Sequence, residues 1–263
     1  MTEQIERNDR SGNISRRGFV SLAGLTGAGI VAPKWVAAQQ SEGSASAKST
    51  EPDHEEEDVA PPEDLMREHG VLKRVLLIYD EAIRRIDAKQ PLSPDPITNS
   101  AQIIRSFIED YHEKLEEDYL FPRFDKAGKL TDLTGVLRTQ HQAGRRLTDQ
   151  ITQLATAGSL KDVSSASRLR DAMRQFNRMY APHEAREDTV LFPALRTIVS
   201  KNEFAALGEE FEKKEHQLFG EDGFEKMVER VASIEKALGI YDLAQFTPQA
   251  QGDDSPWSSR RRG

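Results

Sequence analysis

The stretch HEKLEEDYLFP at residues 112–122 is repeated as HEAREDTVLFP at residues 183–193, seventy-one positions further along the chain. Six of the eleven positions are identical between the two copies. They are the His-Glu pair that opens each copy, a second Glu four residues after the His, and the closing Leu-Phe-Pro. Since an internal repeat usually marks a repeated structural unit, these two segments organise the rest of the chain.

Each copy predicts a helix that carries a pair of metal ligands. Residues four positions apart lie one above the other on the same face of an α-helix. His112 and Glu116 therefore share one face, and His183 and Glu187 share another. If the two helices face each other inside a bundle, two imidazoles and two carboxylates converge, and each carboxylate can bridge two cations. The repeat thus predicts a site for two metal ions.

The composition is typical of a soluble, helix-rich acidic protein. The 263 residues include 37% hydrophobic and 30% charged residues, with a formal net charge of -8. This excess of acidic residues argues against nucleic acid as a partner. The sequence contains no cysteine, which excludes disulfides, thiolate metal sites, iron-sulfur clusters and cysteine nucleophiles. Any metal must therefore be held by nitrogen and oxygen ligands.

Residues 1–38 have the pattern of a twin-arginine export signal. The hexapeptide SRRGFV at residues 15–20 matches the twin-arginine motif, and the uncharged run at 19–32 is too short to span a bilayer comfortably. An uncleaved membrane anchor is the alternative interpretation. Resemblance to such signals implies export after folding, often with a bound cofactor. We therefore expect a periplasmic or extracytoplasmic protein that meets the membrane only through its signal peptide.

An acidic linker and a four-helix bundle follow the signal. Residues 39–61 are rich in Ser, Ala, Glu and Asp, which predicts a disordered linker. Apolar residues then recur at steps of three and four over the segments 63–89, 98–121, 131–157 and 161–200. This spacing predicts an all-α fold, an up-down-up-down four-helix bundle over residues 62–200. We expect the second helix to close at Pro122 and the fourth to bend at Pro182.

A further helical segment is predicted after the bundle. Apolar stripes over residues 201–240 predict helices that pack on the bundle, with a break at residues 220–223. His216 lies on a mixed face of this segment, which favours a surface histidine, or one that supports a ligand, over a direct ligand. Residues 241–263 return to polar residues and predict a disordered tail.

One histidine interrupts the apolar stripe of each predicted bundle helix. The four are His69, His112, His141 and His183. A single histidine in such a stripe is usually a hydrogen-bonded core residue, but four together, two of them followed by Glu at the fourth position, favour a metal centre. Burial of Glu116 and Glu187 would be strongly unfavourable without a neutralising cation, because the stripes carry no Lys or Arg in matching register.

The order His, HxxxE with LFP, His, HxxxE with LFP resembles the hemerythrin-like, or HHE cation-binding, domain over residues 62–200. The resemblance implies a bundle that holds two non-haem irons, joined by two bridging carboxylates and an oxo or hydroxo group. The implied metal ligands are His69, His112, His141 and His183 as terminal ligands, with Glu116 and Glu187 as bridges. An open position would remain for dioxygen, nitric oxide or another small ligand.

The chain departs from the oxygen-carrying hemerythrins on the third and fourth helices. Those carriers have a second histidine one turn after the first on the third helix, where this chain has Arg145. They also place an Asp five residues after the fourth-helix histidine, so Asp188 competes with Glu187. Glu187 is preferred because the fifth position points away from the ligand face. The remaining ligand could be Glu113, Glu184, a water molecule or none.

The residues support one main function and two alternatives. The main hypothesis is a di-iron module of the cell envelope that binds dioxygen or another small ligand, or senses redox state. A di-iron oxidase or peroxidase is the alternative, since Glu109 and His112 resemble one Glu-x-x-His pair of the ferritin-like oxidases. Tyr111 and Tyr180 would then be donors or redox partners. The His-Glu dipeptides also suggest a zinc hydrolase, although both copies lack the second histidine of His-Glu-x-x-His.

Overall fold

The computed structural model describes residues 60–248, and all regular structure in this range is helical. The helices are α1 (Pro61–Asp87), α2 (95–127), α3 (Thr131–Leu154), α4 (Ala157–Lys161), α5 (163–195), α6 (Lys201–Phe219) and α7 (Gly223–Leu238). A short 3-10 helix at Leu243–Phe246 follows them. The predicted signal peptide, the linker up to residue 59, and residues 249–263 lie outside the described range.

The four long helices α1, α2, α3 and α5 form a bundle. Each contacts the next in that order, and α5 packs back against α1. The connections at residues 88–94, 128–130 and 155–162 are short, so successive helices run antiparallel. The predicted all-α, up-down-up-down architecture is therefore confirmed. None of the described helices combines the length and apolar character that crossing a bilayer requires.

The apolar stripes of the four helices meet in one core. Leu72, Phe107, Leu137 and Phe176 contribute one side chain from each helix, and each is at most 1% exposed. Complete burial of such a side chain stabilises the fold by about 1.5 to 3 kcal/mol. This packing fixes the rotation of each helix about its axis, and with it the direction of the histidine in each stripe.

Helices α6 and α7 cover the α1 side of the bundle. Arg74 of α1 donates to both carboxylate oxygens of Glu235 in α7, at 2.9 and 2.5 Å. On α2, the Tyr119 hydroxyl donates to Glu210 of α6 at 3.1 Å. Ser200 caps α6 by accepting a hydrogen bond from the backbone N–H of Glu203. The C-terminal helices are thus tied to two bundle helices through charged and polar groups.

Several helix boundaries differ from the prediction. Helix α2 does not close at Pro122 but continues to Ala127, and Gly128 ends it with a φ of +63°. The predicted fourth helix at 161–200 is shorter at both ends: α5 begins at Val163, where Asp162 caps it by accepting from the Ser165 N–H at 2.7 Å, and ends at Leu195. Helix α1 begins at Pro61, the last residue of the predicted linker. The 3-10 helix likewise lies in the segment predicted as a disordered tail.

Three π-helical segments interrupt α2 and α5. One spans Ile104–His112 in α2, and the other two, the π-turns, lie at equivalent positions of the repeat. These π-turns span Glu116–Leu120 and Glu187–Leu191. In each, the N–H of the Phe that precedes the proline donates to the carbonyl of the Glu five residues earlier. A proline ring would press on the preceding turn of a regular α-helix, and the wider π-turn lets the helix continue past it. The helix geometry thus changes from α to π at Glu187, and Pro182 lies inside the α-helical part of α5.

Candidate metal centre

The six residues predicted as ligands lie together in the bundle interior. Helices α1 and α3 each supply one histidine, and α2 and α5 each supply one histidine and one glutamate. Their exposed fractions are 0% for Glu116, His141 and Glu187, 1% for His69, 2% for His112 and 4% for His183. The side chains are neither splayed apart nor turned to solvent, so a buried centre of nitrogen and oxygen atoms exists.

Each imidazole faces a carboxylate oxygen through its Nε2 atom. Glu116 places Oε1 3.9 Å from His112 Nε2 and Oε2 3.4 Å from His141 Nε2. Glu187 places Oε1 3.2 Å from His183 Nε2 and Oε2 3.4 Å from His69 Nε2. The two oxygens of each carboxylate therefore face different histidines, which is the arrangement that a bridging carboxylate requires.

These contacts divide the centre into two half-sites. Half-site A contains His69 and His112, whose ring centroids are 4.6 Å apart, and half-site B contains His141 and His183, at 5.1 Å. Each half-site also receives one oxygen from Glu116 and one from Glu187. Each therefore offers two nitrogen and two oxygen atoms, a set that suits one divalent cation.

The Nδ1 atom of each histidine is held by an acceptor on another helix. The pairs are His69 with Asp188 at 2.7 Å, His112 with Glu68 at 2.7 Å, His141 with Glu117 at 3.0 Å, and His183 with Gln140 at 2.8 Å. Because these oxygens accept, each Nδ1 atom donates its proton, and Nε2 is the nitrogen that faces the centre and could bind a cation. This is the tautomer that binds a metal.

The sequence analysis missed most of these acceptors. Glu68, Glu117 and Gln140 received no role, and Asp188 was considered only as a competing ligand. Each of the four is adjacent in sequence to one of the six candidate ligands, and a polar residue at that position was a signal that could have been used. The histidine that each acceptor holds lies on a different helix, so the pairing depends on tertiary packing.

The chemistry of the donor set fits a pair of cations. Both carboxylate oxygens of Glu116 and of Glu187 are buried without a hydrogen-bond partner, as is the Nε2 atom of His141. Burial, and repulsion by Glu187, raise the pKa of Glu116 well above its usual value. Burial has the same tendency at Glu187, but His183 and His69 outweigh it and lower the Glu187 pKa. Two cations would satisfy all of these atoms at once.

The imidazoles themselves have divergent pKa values. Burial tends to lower the pKa of His69, but the hydrogen bonds and charges of Asp188 and Glu187 outweigh it and raise that pKa to about 9. Burial lowers the pKa of His141 to about 4, against the opposing influence of Glu117. His69 therefore binds a proton tightly and His141 binds one weakly. A bound cation would displace the proton on His69.

Arg145 and Glu113 form an ion pair beside half-site B. Arg145 lies 2.7 Å from Glu113 Oε2 and 2.9 Å from Glu117 Oε1, so it pairs with carboxylates where the oxygen carriers have a second histidine. The Tyr180 hydroxyl donates to Glu113 Oε1 at 2.7 Å. Burial raises the pKa of Glu113 to about 8. Glu113 therefore already has two partners of its own, neither of which is a candidate ligand.

The other residues considered for the site lie at its edge. Asp188 is on the Nδ1 side of His69 and also pairs with Lys73 at 3.0 Å, so Glu187 and not Asp188 occupies the centre. Glu184 is 3% exposed, and burial raises its pKa to about 7. Within residues 60–248, His216 belongs to no cluster of three or more potential ligand atoms.

Comparison with known proteins agrees with this geometry. The model of the hemerythrin HHE cation-binding domain matches the chain over residues 60–163 and again over 132–251. Uncharacterized proteins of Mycobacterium bovis and of two strains of Mycobacterium tuberculosis are each 52% identical over 236 residues, which cover 89% of this chain and 91% of theirs. No solved structure is significantly similar. The two matches cover most of the chain, which therefore belongs to the hemerythrin HHE cation-binding domain family.

Proposed function

We propose that this chain is a non-haem di-iron protein of the cell envelope that binds dioxygen or another small ligand, such as nitric oxide, or senses redox state. One observation carries the proposal. Four imidazole Nε2 atoms and four carboxylate oxygens converge in a buried space, and the oxygens have no other hydrogen-bond partner. Imidazole and bridging carboxylate are the ligands that di-iron bundle proteins use.

The residues that would hold the irons are those of the two half-sites. Half-site A would hold one iron and half-site B the other, with Glu116 and Glu187 shared between them. Bound iron would supply the change of oxidation state and a coordination position for the small ligand. The chain fixes the ligand geometry, because every candidate histidine is oriented through its Nδ1 atom.

The Leu-Phe-Pro repeat contributes an apolar wall to each half-site. Phe192 stacks on His69 with ring centroids 5.6 Å apart, and Phe121 stacks on His141 at 5.5 Å. Both phenylalanines are 0% exposed. They exclude water from the two histidines and lower the local dielectric constant, which strengthens the attraction between the carboxylates and a cation. The second part of the repeat thus serves the same centre as the first.

Metal analysis of the full chain, combined with an absorption spectrum, tests the proposal. We expect about two irons per chain and a spectrum that changes on reduction and again on exposure to air. Reversible recovery of the first spectrum would favour ligand binding, and irreversible oxidation would favour a sensor or an enzyme. Zinc without iron, or no tightly bound metal, would contradict the proposal. A chain with His112→Ala and His183→Ala, one ligand from each half-site, is the negative control.

The cell-envelope location is a separate part of the proposal and rests on the motif SRRGFV at residues 15–20. Replacement of Arg16 and Arg17 by Lys keeps the positive charge but removes the pair that the export machinery recognises. The unaltered chain should appear in the extracytoplasmic fraction, and the double variant should stay in the cytoplasm. Equal distribution of both proteins would contradict twin-arginine export and leave the iron site untouched.

A di-iron oxidase or peroxidase is the second candidate, and Tyr180 is the observation that favours it. Its ring centroid is 5.4 Å from that of His183, and its hydroxyl donates to buried Glu113. A phenol so close to the centre is a potential donor of an electron and a proton. Turnover of hydrogen peroxide by the iron-loaded chain, lost in Tyr180→Phe with both irons retained, would support this candidate.

A further inference from the structure

The four Nδ1 acceptors follow the internal repeat but differ in chemistry. Glu68 and Gln140 hold the α2 and α5 histidines from equivalent positions, one residue before the histidines of α1 and α3. Asp188 and Glu117 hold the α1 and α3 histidines from equivalent positions, one residue after the two central glutamates. The equivalent positions Glu68 and Gln140 differ in charge, because α1 has a carboxylate where α3 has a neutral amide.

This difference gives half-site A one more carboxylate acceptor than half-site B. Both histidines of half-site A donate to carboxylates, Glu68 and Asp188, at 2.7 Å. In half-site B, His141 donates to a carboxylate at 3.0 Å, whereas His183 donates to the neutral amide oxygen of Gln140. The Glu68 side chain is 0% exposed, so its charge is poorly screened by solvent.

Neighbouring cations widen the difference. Glu117, the one carboxylate acceptor of half-site B, also pairs with Arg145 and Lys114. Asp188, in half-site A, pairs with Lys73 alone among the described residues, at 3.0 Å. No Lys or Arg of residues 60–248 lies within ion-pair distance of Glu68. Half-site A therefore has more carboxylate acceptors than half-site B, and fewer Lys and Arg side chains pair with those acceptors.

An acceptor on Nδ1 determines how strongly Nε2 binds a metal. A carboxylate draws the Nδ1 proton towards itself and so leaves more electron density on Nε2, whereas an amide oxygen does so less. Loss of such an outer partner typically weakens metal binding about tenfold to a hundredfold. Added negative charge near the cation acts in the same direction.

We infer that the two half-sites bind their cations with unequal affinity, half-site A first and half-site B more weakly, and that Gln140 is the positioning residue that sets this order. The inference rests on the proposed two-cation site and specifies how that site is loaded. Half-site B is then the one from which a cation exchanges, and a chain with one cation is a defined species with metal between His69 and His112.

Anaerobic titration of the metal-free full chain with iron(II), followed by calorimetry and by competition with a chromophoric chelator, tests the inference. We expect two binding steps whose affinities differ at least about tenfold. Gln140→Glu should strengthen the weaker step about tenfold and bring the two together. Glu68→Gln should weaken the stronger step by a similar factor. Gln142→Glu adds the same charge at an exposed position of α3 and should change neither step.

The possible outcomes separate the inference from the proposed function. Two equal steps in the unaltered chain, or a Gln140→Glu chain that titrates like the Gln142→Glu control, would overturn the inference and leave the di-iron site standing. Failure to bind two cations would overturn both. If circular dichroism shows that the Gln140→Glu chain does not fold, titration of the Glu68→Gln chain tests the inference instead. A stronger step that this second variant leaves unchanged would overturn the inference.

Discussion

Glu116 and Glu117 are neighbours in the sequence but have different roles in the centre. Both oxygens of Glu116 face imidazole Nε2 atoms, one in each half-site. Glu117 lies on the other side of His141, where it accepts from Nδ1 and pairs with Arg145. Burial tends to raise the pKa of Glu117, but His141, Lys114 and Arg145 lower it to about 2. Two adjacent residues of one helix thus differ in role: the first is a candidate ligand, and the second orients a histidine.

The pair Glu116→Gln and Glu117→Gln tests this difference at the residue scale. The first change removes the negative charge shared by the two half-sites and replaces one of the two oxygens by an amide nitrogen that cannot bind a cation. We therefore expect the loss of both cations. The second replaces the charged acceptor of His141 by a neutral amide oxygen, and we expect a loss of about tenfold in affinity at half-site B. Iron(II) titration of both variants measures these effects. Retention of two tightly bound cations by the Glu116→Gln chain would contradict the bridging role.

At the scale of the helices, Gly144 of α3 leaves space for Tyr180 of α5. A Cβ atom added at Gly144 would lie 2.0 Å from the Tyr180 hydroxyl and 2.8 Å from the adjacent ring carbon. Glycine is costly in a helix interior, by about 1 kcal/mol relative to Ala. Here it makes room for the hydroxyl that donates to Glu113. Tyr180 is thus the group for which Gly144 leaves space.

Gly144→Ala should therefore destabilise the chain by about 1 to 3 kcal/mol, since Tyr180 must move and its hydrogen bond to Glu113 is lost. Gly135→Ala in the same helix is the matched control, because a Cβ there meets nothing within 4 Å. It should stabilise the chain by up to about 1 kcal/mol. Urea unfolding of the two variants measures both values. Equal effects would mean that the contact at Tyr180 is not restrictive.

The π-turns are the second feature at the scale of elements. Each follows directly on a central glutamate and precedes a proline, at Glu116–Leu120 and at Glu187–Leu191. Each π-turn thus begins at a candidate metal ligand, and π-turns are frequent at functional sites. The second helix was predicted to close at Pro122, but in the structure both helices continue past their Leu-Phe-Pro segments, which place Phe121 and Phe192 against histidines.

At the scale of the whole molecule, several ion pairs join the bundle to the C-terminal helices, and the most buried of them lies between Arg74 and Glu235. Glu235 in α7 has a side chain only 8% exposed and accepts two hydrogen bonds from Arg74. Glu235→Ala leaves the Arg74 charge poorly solvated, and we expect a loss of about 1 to 3 kcal/mol in the free energy of unfolding. Asp87→Ala breaks the pairs with Arg170 and Arg174 at the surface.

That surface variant is the control for the Glu235 prediction. The Asp87 side chain is 39% exposed, and surface ion pairs contribute at most about 1 kcal/mol. Urea unfolding of the two variants in parallel compares the losses. A Glu235→Ala chain that unfolds at the same urea concentration as the Asp87→Ala chain would show that the Arg74–Glu235 pair contributes no more to stability than a surface ion pair.

Stability of the metal-free chain should depend on pH in a defined direction. The pKa of His69 is raised to about 9 and that of Glu113 to about 8, so the folded chain binds these protons more tightly than the unfolded chain. Their stabilising contribution is complete below the unfolded pKa values and is lost as pH rises through the folded ones. Groups with lowered pKa, such as His141 at about 4, titrate below this window.

We therefore expect the free energy of unfolding of the metal-free chain to fall between pH 7 and 9, by on the order of 1 kcal/mol per pH unit. Cation binding should show the opposite trend and tighten as pH rises, because the cation competes with protons for the same atoms. Urea unfolding with a chelator present, and iron(II) titration without one, measure the two slopes. A metal-free chain that grows more stable from pH 7 to 9 would contradict the role of His69.

The sequence by itself determined the four bundle helices and the six residues that meet in the interior. Both follow from local periodicity, because apolar steps of three and four define a helix face and HxxxE places two side chains on it. That these six bind metal remains a prediction. The Leu-Phe-Pro stop was predicted wrongly, since a π-turn depends on how the helix packs as well as on its proline.

Only the tertiary structure decided which groups meet across the bundle. His69 and its acceptor Asp188 are 119 residues apart, and His112 and Glu68 are 44 apart. Such pairings depend on the rotation and axial shift of one helix against another, which the packing of the whole core sets. For the same reason the unequal surroundings of the two half-sites became visible only once Glu68 and Gln140 were seen beside the histidines that they hold.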